Sequence, residues 1–249
     1  MSLHESLEAH CQPYHLWILA LDDQAWDVLC ALNLPHVTTV PLYAVETAEL
    51  KVARGNRIWL EYIWTLTSAW MLYVLGRVES VSFIDADCYF FSSPQYVFDE
   101  IGGAPLGITP HCFPEHARNF EINGIYNVGL VYAIREAMPV IKEWSEQCIE
   151  WCYYRAENGK YADQKYLDPW PEKYGAHVIR HPGANLAPWN NERYSYKVKD
   201  GKLRVDNLPI IWYHFHRALN PAWTIHPILR QTIYADYEKA LKRARDKYV

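Results

Sequence analysis

The chain has 249 residues, half of them hydrophobic and 15% aromatic, with 11 Trp and 19 Tyr. That length suits one large α/β domain with a substantial core, and the apolar content excludes a disordered chain. A net charge of -5 with a pI near 6.1 lacks the basic excess of a nucleic-acid binder, so no nucleic acid is expected as a partner.

The opening MSLHESLEAH is polar and carries no signal-peptide pattern. Six cysteines are scattered along the chain, which reads as a reducing cytoplasm. The first apolar run, HLWILALDD from His15 to Asp23, is closed by acidic residues; the helix-like AWDVLCALNL and the strand-like HVTTVPLY follow, a βαβ order. A long helix is expected from about Gly55 to Leu75, with Gly76 as its C-cap. Its stretch IWLEYIWTLTSAWMLYVL approaches spanning length, but Glu61 and several hydroxyl residues interrupt it. It is therefore read as a buried amphipathic helix, and no transmembrane segment is expected.

VSFIDADCYFF, from Val81, comes next and ends a core-like run in two aspartates, Asp85 and Asp87. In an extended chain residues i and i+2 share a face, so the two carboxylates repel unless a cation sits between them. The competing reading is a turn in which each aspartate bonds nearby backbone amides. Two more strands are expected at LGITPH and YNVGLVYAI, then a helix from Glu136 to about Glu157. Cys148 and Cys152 in that helix are spaced as packed thiols rather than as a zinc pair. ADQKYLDPW, the strand HVIRH, the loop HPGANLAPWNNERY and the strand IIWYHFH complete the body. An amphipathic helix over 226–249 mixes basic with acidic residues, as a solvated face does. The order of elements implies a single domain over 1–249: a mostly parallel central sheet flanked by helices, with ligands beyond the carboxyl ends of the strands. Asp22, Asp85 and His214 fall at such ends.

Five short motifs appear in a definite order: D-A-D at 85–87, N-V-G at 127–129, D-Q at 163–164, L-A-P-W-N at 186–190 and H-F-H at 214–216. In this order they resemble the nucleotide-diphospho-sugar transferases, and within them the glycosyltransferases of the GT-A (Rossmann-like) fold, including retaining bacterial galactosyltransferases and glycogenin-like enzymes. The likeness runs from about His15 to Pro221. It implies Mn²⁺ or Mg²⁺ held by Asp85 and Asp87, with a late histidine, His214 or His216, completing the ligand set; an oxygen-rich site with one imidazole suits such ions. Asp163 is implied to contact the donor sugar and Gln164 to sit near the reacting carbon, with Asp163 also a candidate helix N-cap. Lys165 stands where the retaining galactosyltransferases often carry another acid. Ala20, Leu21, Asp22 and Ala86 are placed by the resemblance around the donor nucleotide, and Asn127 and Gly129 in the sugar pocket; a strand glycine can equally mark a bulge. Trp189 and Asn190 belong to the family's late loop, where an indole can stack on a sugar face or simply pack. Arg57 is a candidate diphosphate ligand because a guanidinium binds phosphate oxygens in pairs, although a surface ion pair is its competing fate.

The implied activity is transfer of a sugar from a nucleoside diphosphate sugar, UDP-sugar being the first choice, to a hydroxyl of a glycan, lipid-linked or protein acceptor, in glycan or surface polysaccharide synthesis. No isolated Asp or Glu stands out as the base an inverting enzyme needs, which favours the retaining route. The localisation expected is cytoplasmic, with peripheral docking at the inner face of the membrane as its extension. A metal-dependent nucleotidyltransferase is the alternative enzyme, but LALDDQAW lacks its Gly- and Arg/Lys-rich phosphate loop. A non-catalytic sugar-nucleotide binder is the alternative outside catalysis.

Overall fold

An N-terminal helix, α1 (Ser2–His10), precedes the first βαβ unit: β1 (Leu16–Ala20), α2 (Asp23–Leu32) and β2 (Val37–Pro41). β1 and β2 pair in parallel from Leu16 with Val37 to Ala20 with Pro41. α2 starts where the Asp22 carboxylate accepts the Ala25 N–H at 2.7 Å and stops at Asn33, whose left-handed conformation ends the helix. The computed structural model describes residues 1–218 and 223–248. Pro221, where the resemblance ends, and Val249, the last residue of the expected C-terminal helix, lie outside the described residues.

The single long helix expected after β2 is two. α3 (Ala48–Asn56) is capped by the Thr47 hydroxyl, and α4 (Trp59–Leu75) begins where Glu61 accepts the Ile58 N–H at 3.1 Å. Within α4 the buried Thr65 and Ser68 turn their hydroxyls onto carbonyls of their own helix, which lets polar residues sit in the interior without unpaired groups. Among the described residues no helix is long and apolar enough to cross a membrane.

β3 (Ser80–Ile84) and β4 (Cys88–Phe90) flank the two aspartates, α5 (Gln95–Ile101) follows, and β5 (Leu106–Pro110) leads to β6 (Tyr126–Ile134). α6 (Met138–Glu150), α7 (Trp170–Tyr174) and β7 (His177–Val178) come next. The central sheet runs β3-β6-β5-β7, and β6 is antiparallel to both neighbours while β7 is parallel to β5. The sheet is thus mixed and not mostly parallel. The cause is the link between β5 and β6, a 3-10 segment (Glu115–Asn123) that turns the chain back at one end of the sheet where a parallel neighbour would need a crossover.

β8 (Tyr196–Lys199), β9 (Lys202–Val205) and β10 (Leu208–Pro209) form a small meander. Its first turn places Asp200 and Gly201 at φ 52° and 72°, the left-handed pair that a two-residue hairpin demands. β11 (Trp212–His214) pairs antiparallel with β4. The expected strand through His216 therefore stops at His214. The chain closes with α8 (Pro227–Leu229), a π-helical turn (Arg230–Tyr234) and α9 (Ala235–Tyr248).

Core packs on both sides of the central sheet. Met71 and Leu75 of α4 and Ile141, Trp144 and Cys148 of α6 meet Leu106, Ile108 and Val131 on one side; Leu3 and Leu7 of α1, Ile101 and Trp212 pack with Leu130 on the other. Tyr213 and Phe215 anchor the C-terminal helices, with Phe215 stacked on Tyr237 at 3.8 Å.

Candidate metal and donor site

Because β6 runs against β3, the start of β6 lies beside the end of β3, and residues 127–129 meet the aspartates there. Asp85 N–H donates to Gly129 O at 3.4 Å and Cys88 N–H to Asp85 O at 3.0 Å. The segment Asp85–Cys88 is thus a turn, as the competing reading required, and the Asp87 carboxylate meets a backbone amide within it, yet both carboxylates still converge on His214. Phe215 N–H donates to Asp87 O at 2.9 Å and ties the turn to the chain just after β11. That register puts His214 opposite Cys88.

His214 Nε2 lies 3.0 Å from Asp87 Oδ1 and 3.5 Å from Asp85 Oδ2. The imidazole is 5% exposed, whereas the two carboxylates keep about two-fifths of their surface open to the cleft. Burial by the surrounding walls pushes the Asp85 carboxyl up to about 6, with the Asp87 charge adding to the rise and His214 opposing it. Asp87 is held below the ordinary carboxylate value: burial opposes its charge, but the hydrogen bond and charge of His214 outweigh it. His214 is raised, because burial, which disfavours the imidazolium, is outweighed by the Asp87 hydrogen bond and both carboxylates. His216 bonds neither aspartate among the described residues. It stands in the turn after β11 with its ring 5.8 Å from that of His214, and burial lowers its pKa. Of the two candidate histidines, His214 alone is brought onto the carboxylate pair.

Two carboxylates and an imidazole nitrogen at these distances, with one carboxyl already resisting ionisation, fit a divalent cation. Asp87, Cys88 and His214 can also bring three ligand atoms together. The Cys88 side chain is buried, aimed at Gly129 O at 4.0 Å, and its pKa lies well above the ordinary thiol value through burial and the two aspartates. The two aspartates offer hard oxygen donors beside one imidazole, a donor set that suits Mn²⁺ or Mg²⁺.

The site opens into a cleft of about 890 Å³ whose lining includes Leu21, Asp85, Ala86, Asp87, Asn127, Asp163, Gln164, Trp189, His214 and His216. Asp163 is 4% exposed. Burial pushes its carboxyl up to about 7, the Asp85 charge adding to the rise, while the Thr67 hydroxyl and nearby amides stabilise the charged form. Its side chain does not cap the 3-10 turn Gln164–Leu167 that follows. Gln164 Nε2 donates to Asn123 O at 2.7 Å. Lys165 points elsewhere: it donates to Glu121 O and pairs with Asp168 at 2.7 Å, and Asp168 in turn accepts the Ile125 N–H.

Asn127 Oδ1 accepts the Gly129 N–H at 2.7 Å. The ladder between β5 and β6 slips just there, from Ile108 opposite Val131 to Thr109 opposite Asn127, so Gly129 lies in a bulge that also approaches the site. Trp189 donates its indole N–H to His111 O at 3.0 Å and stands edge-on to His214 and His216. A packing role and a place in the cleft wall coexist in it.

Five expected donor residues are not in the lining, Gly129 of the bulge and four others. Ala20 is buried at the end of β1. Asp22 spends its carboxylate on capping α2. Asn190 is 1% exposed and bonds Ala187 N, His111 O and Asn185 O, shaping the late loop from within. Arg57 makes no ion pair among the described residues, and its guanidinium is engaged within the fold: it donates to Thr65 Oγ1 at 2.5 Å and to Cys148 O and Ile149 O at 2.7 and 2.5 Å. Those carbonyls end α6, which is why that helix stops at Glu150 and not near Glu157.

Sequence reasoning passed over four residues of the cleft or its floor. Thr67 and His111 line it, Asn185 lies beneath His214, and Arg217 is the sole Lys or Arg among the described lining residues. The H-F-H motif ran directly into Arg217 and offered a signal for it; the other three carry none.

No family model matches the chain. The uncharacterized protein YfnD of Bacillus subtilis (strain 168) is 37% identical over 224 residues, covering 86% of this chain and 72% of that protein. YfnF of the same organism, also uncharacterized, is 28% identical over 229 residues, covering 86% and 76%. Among solved structures, mouse xyloside xylosyltransferase 1 in its apo form superposes with a TM-score of 0.52 at 13% identity, covering 86% of this chain and 90% of that one. The topology is therefore that of a glycosyltransferase fold, and by its identity and coverage the chain belongs to the family of YfnD.

Proposed function

We propose that the chain is a metal-dependent glycosyltransferase that moves a sugar from a nucleoside diphosphate sugar, UDP-sugar first, to a hydroxyl of a glycan, lipid-linked or protein acceptor. The observation that carries this reading is the convergence of Asp85 and Asp87 on His214 at the floor of an aromatic-walled cleft. The glycosyltransferase fold supports it, and the whole chain acts as one domain of that kind.

Asp85, Asp87 and His214 would hold Mn²⁺ or Mg²⁺ against the donor diphosphate. Bound there, the ion supplies Lewis-acid stabilisation of the departing nucleoside diphosphate. Arg217, exposed beside His216 and lining the cleft, offers the remaining positive charge to the phosphates. Leu21 and Ala86 border the nucleotide, and Asn127 and Trp189 the sugar. Asp163, near its midpoint of ionisation at neutral pH, can accept or donate a hydrogen bond to a sugar hydroxyl. Gln164, its amide nitrogen committed to Asn123, presents the other end of its amide to the reacting carbon. No further carboxylate lines the cleft as a water- or acceptor-activating base among the described residues, which supports the retaining route. The free state of every described cysteine supports a cytoplasmic setting.

Thermal shift with UDP, GDP, CDP and TDP, each with and without Mn²⁺, tests the reading. Stabilisation by one nucleotide that needs the metal is expected, together with slow metal-dependent hydrolysis of the matching sugar nucleotide. Asp87→Ala should abolish the metal-dependent part of the shift. An unchanged shift in that variant sinks the metal assignment, and saturable binding without turnover assigns the chain to binding alone.

A further inference from the structure

Beyond the aspartate pair the cleft has a second end, walled by aromatic rings. Phe113 stacks on His111 with ring centres 4.8 Å apart and on Trp223 at 6.2 Å, and Phe120 meets both Phe113 and Trp223, at 5.9 and 5.3 Å. Phe113, Phe120 and Trp223 all line the cleft. Phe113 is buried and Trp223 half-buried, but Phe120 is 41% exposed. It is firmly placed, because the chain just after it is held by Gln164 Nε2 on Asn123 O at 2.7 Å, by Lys165 Nζ on Glu121 O at 3.1 Å and by Asp168 on the Ile125 N–H at 2.8 Å. A large aromatic side chain fixed in a cleft wall and left open to solvent marks a surface kept for a ligand.

The fold sets the two ends in order. Where the cleft opens, Leu21 follows β1, Asp85 and Asp87 follow β3, Asn127 lies at the start of β6, and His111 and Phe113 follow β5. The sheet order β3-β6-β5, with β1 across the recess from β3, lays them out in that sequence. With the nucleotide bordered by Leu21 and its diphosphate at the aspartates, the rings stand on the far side of the metal from the base, where the second substrate must enter. Asn123 comes three residues after Phe120 in the same 3-10 segment, a spacing that puts both side chains on one face, and it too lines the cleft. An amide both donates and accepts, as a sugar hydroxyl does, and aromatic rings cover the apolar face of a pyranose. An aliphatic chain would leave that amide unpaired. We propose that Phe113, Phe120, Trp223 and Asn123, none of them charged, form the acceptor subsite and that it takes an uncharged pyranose, so that the acceptor is a glycan. The role as acceptor subsite rests on the transferase reading; the binding of sugar does not.

Saturation-transfer NMR on the full-length protein tests it, with methyl β-D-glucopyranoside, methyl β-D-galactopyranoside, methyl α-D-mannopyranoside and hexyl β-D-glucopyranoside as probes. At least one methyl glycoside should receive saturation at its ring protons. It should still do so when Mn²⁺ and the nucleotide that stabilises the protein are saturating, because acceptor and donor are held together. Phe120→Ala should weaken that glycoside about tenfold, whereas Phe120→Tyr, which keeps the ring, should retain it. No transfer to any methyl glycoside, displacement of the sugar by nucleotide and Mn²⁺, or wild-type binding in Phe120→Ala overturns the proposal. Transfer confined to the hexyl chain would give the rings to a lipid, and a tenfold loss of nucleotide affinity in Phe120→Ala would give them to the base; either also overturns it. Should that variant fail to fold, Asn123→Ala, which removes only the amide, takes its place with a loss of glycoside binding again expected. Glycoside binding by a protein that takes none of the four nucleotides would uphold the sugar site and remove the transferase reading.

Discussion

Asp163 shows how a single side chain records its surroundings. A carboxyl with a pKa near 3.9 in an unfolded chain is pushed up to about 7 here, first by burial and then by the Asp85 charge. The fold thus binds a proton that the unfolded chain releases. The stability this group contributes is fully present below about pH 4 and is lost as the pH rises through about 7, an effect on the order of 4 kcal/mol at most. Metal-free urea denaturation at pH 5 and pH 8 should therefore show a larger fall for wild type than for Asp163→Asn, which has nothing to ionise. Equal falls would mean that the carboxyl is not held protonated. The carboxylates and His214 were legible in the sequence because each belongs to a short local motif. Asn185 and Thr67 were not, since an amide or hydroxyl acquires its role only from what long-range packing sets against it.

Elements were read well where a local period settled them and poorly where a distant group ended them. β1, β5 and β6 stand where alternation and apolar runs placed them. The hairpin of β8 and β9 went unread despite Asp200-Gly201, because the dense Pro and Asn of the preceding loop masked its alternation. The break between α3 and α4 and the early end of α6 share one cause that no window of sequence contains. Arg57 leaves the helical conformation and crosses 91 positions to bond the α6 carbonyls. Arg57→Met strips a charged donor from two helix-end carbonyls and from Thr65, so a loss of about 3 kcal/mol is expected in urea denaturation. Arg57→Lys should recover only part of it, for one ammonium cannot reproduce the fork. Affinity for a metal–nucleotide pair should stay at the wild-type value. A tenfold loss of that affinity with stability intact would return Arg57 to the diphosphate.

At the scale of the whole molecule, the β1–β2 pair is set apart from the central sheet. β1 pairs with β2 and with no other strand among the described residues. A recess of about 610 Å³, lined by Leu16 and Trp17 on one side and by Val81 and Phe83 on the other, separates it from the outer edge of β3. Its attachment is by side chains, Trp17 and Leu19 packing with Trp70 and Val74 of α4. Segments held without a shared ladder open more readily than sheet interiors, so amide exchange in free protein should be faster over 16–20 than over 130–134 of β6. Leu19 and Leu21 also border the cleft that holds the aspartate pair. A nucleotide seated with metal would bridge this unit to the aspartate turn after β3, and a ligand that binds only the closed arrangement stabilises it. Exchange over 16–20 should then slow when nucleotide and Mn²⁺ are added together, while 130–134, already protected by two neighbouring strands, changes little. Slowing of equal size in both segments would show that the ligand stabilises the molecule globally, and the two units would then open as one.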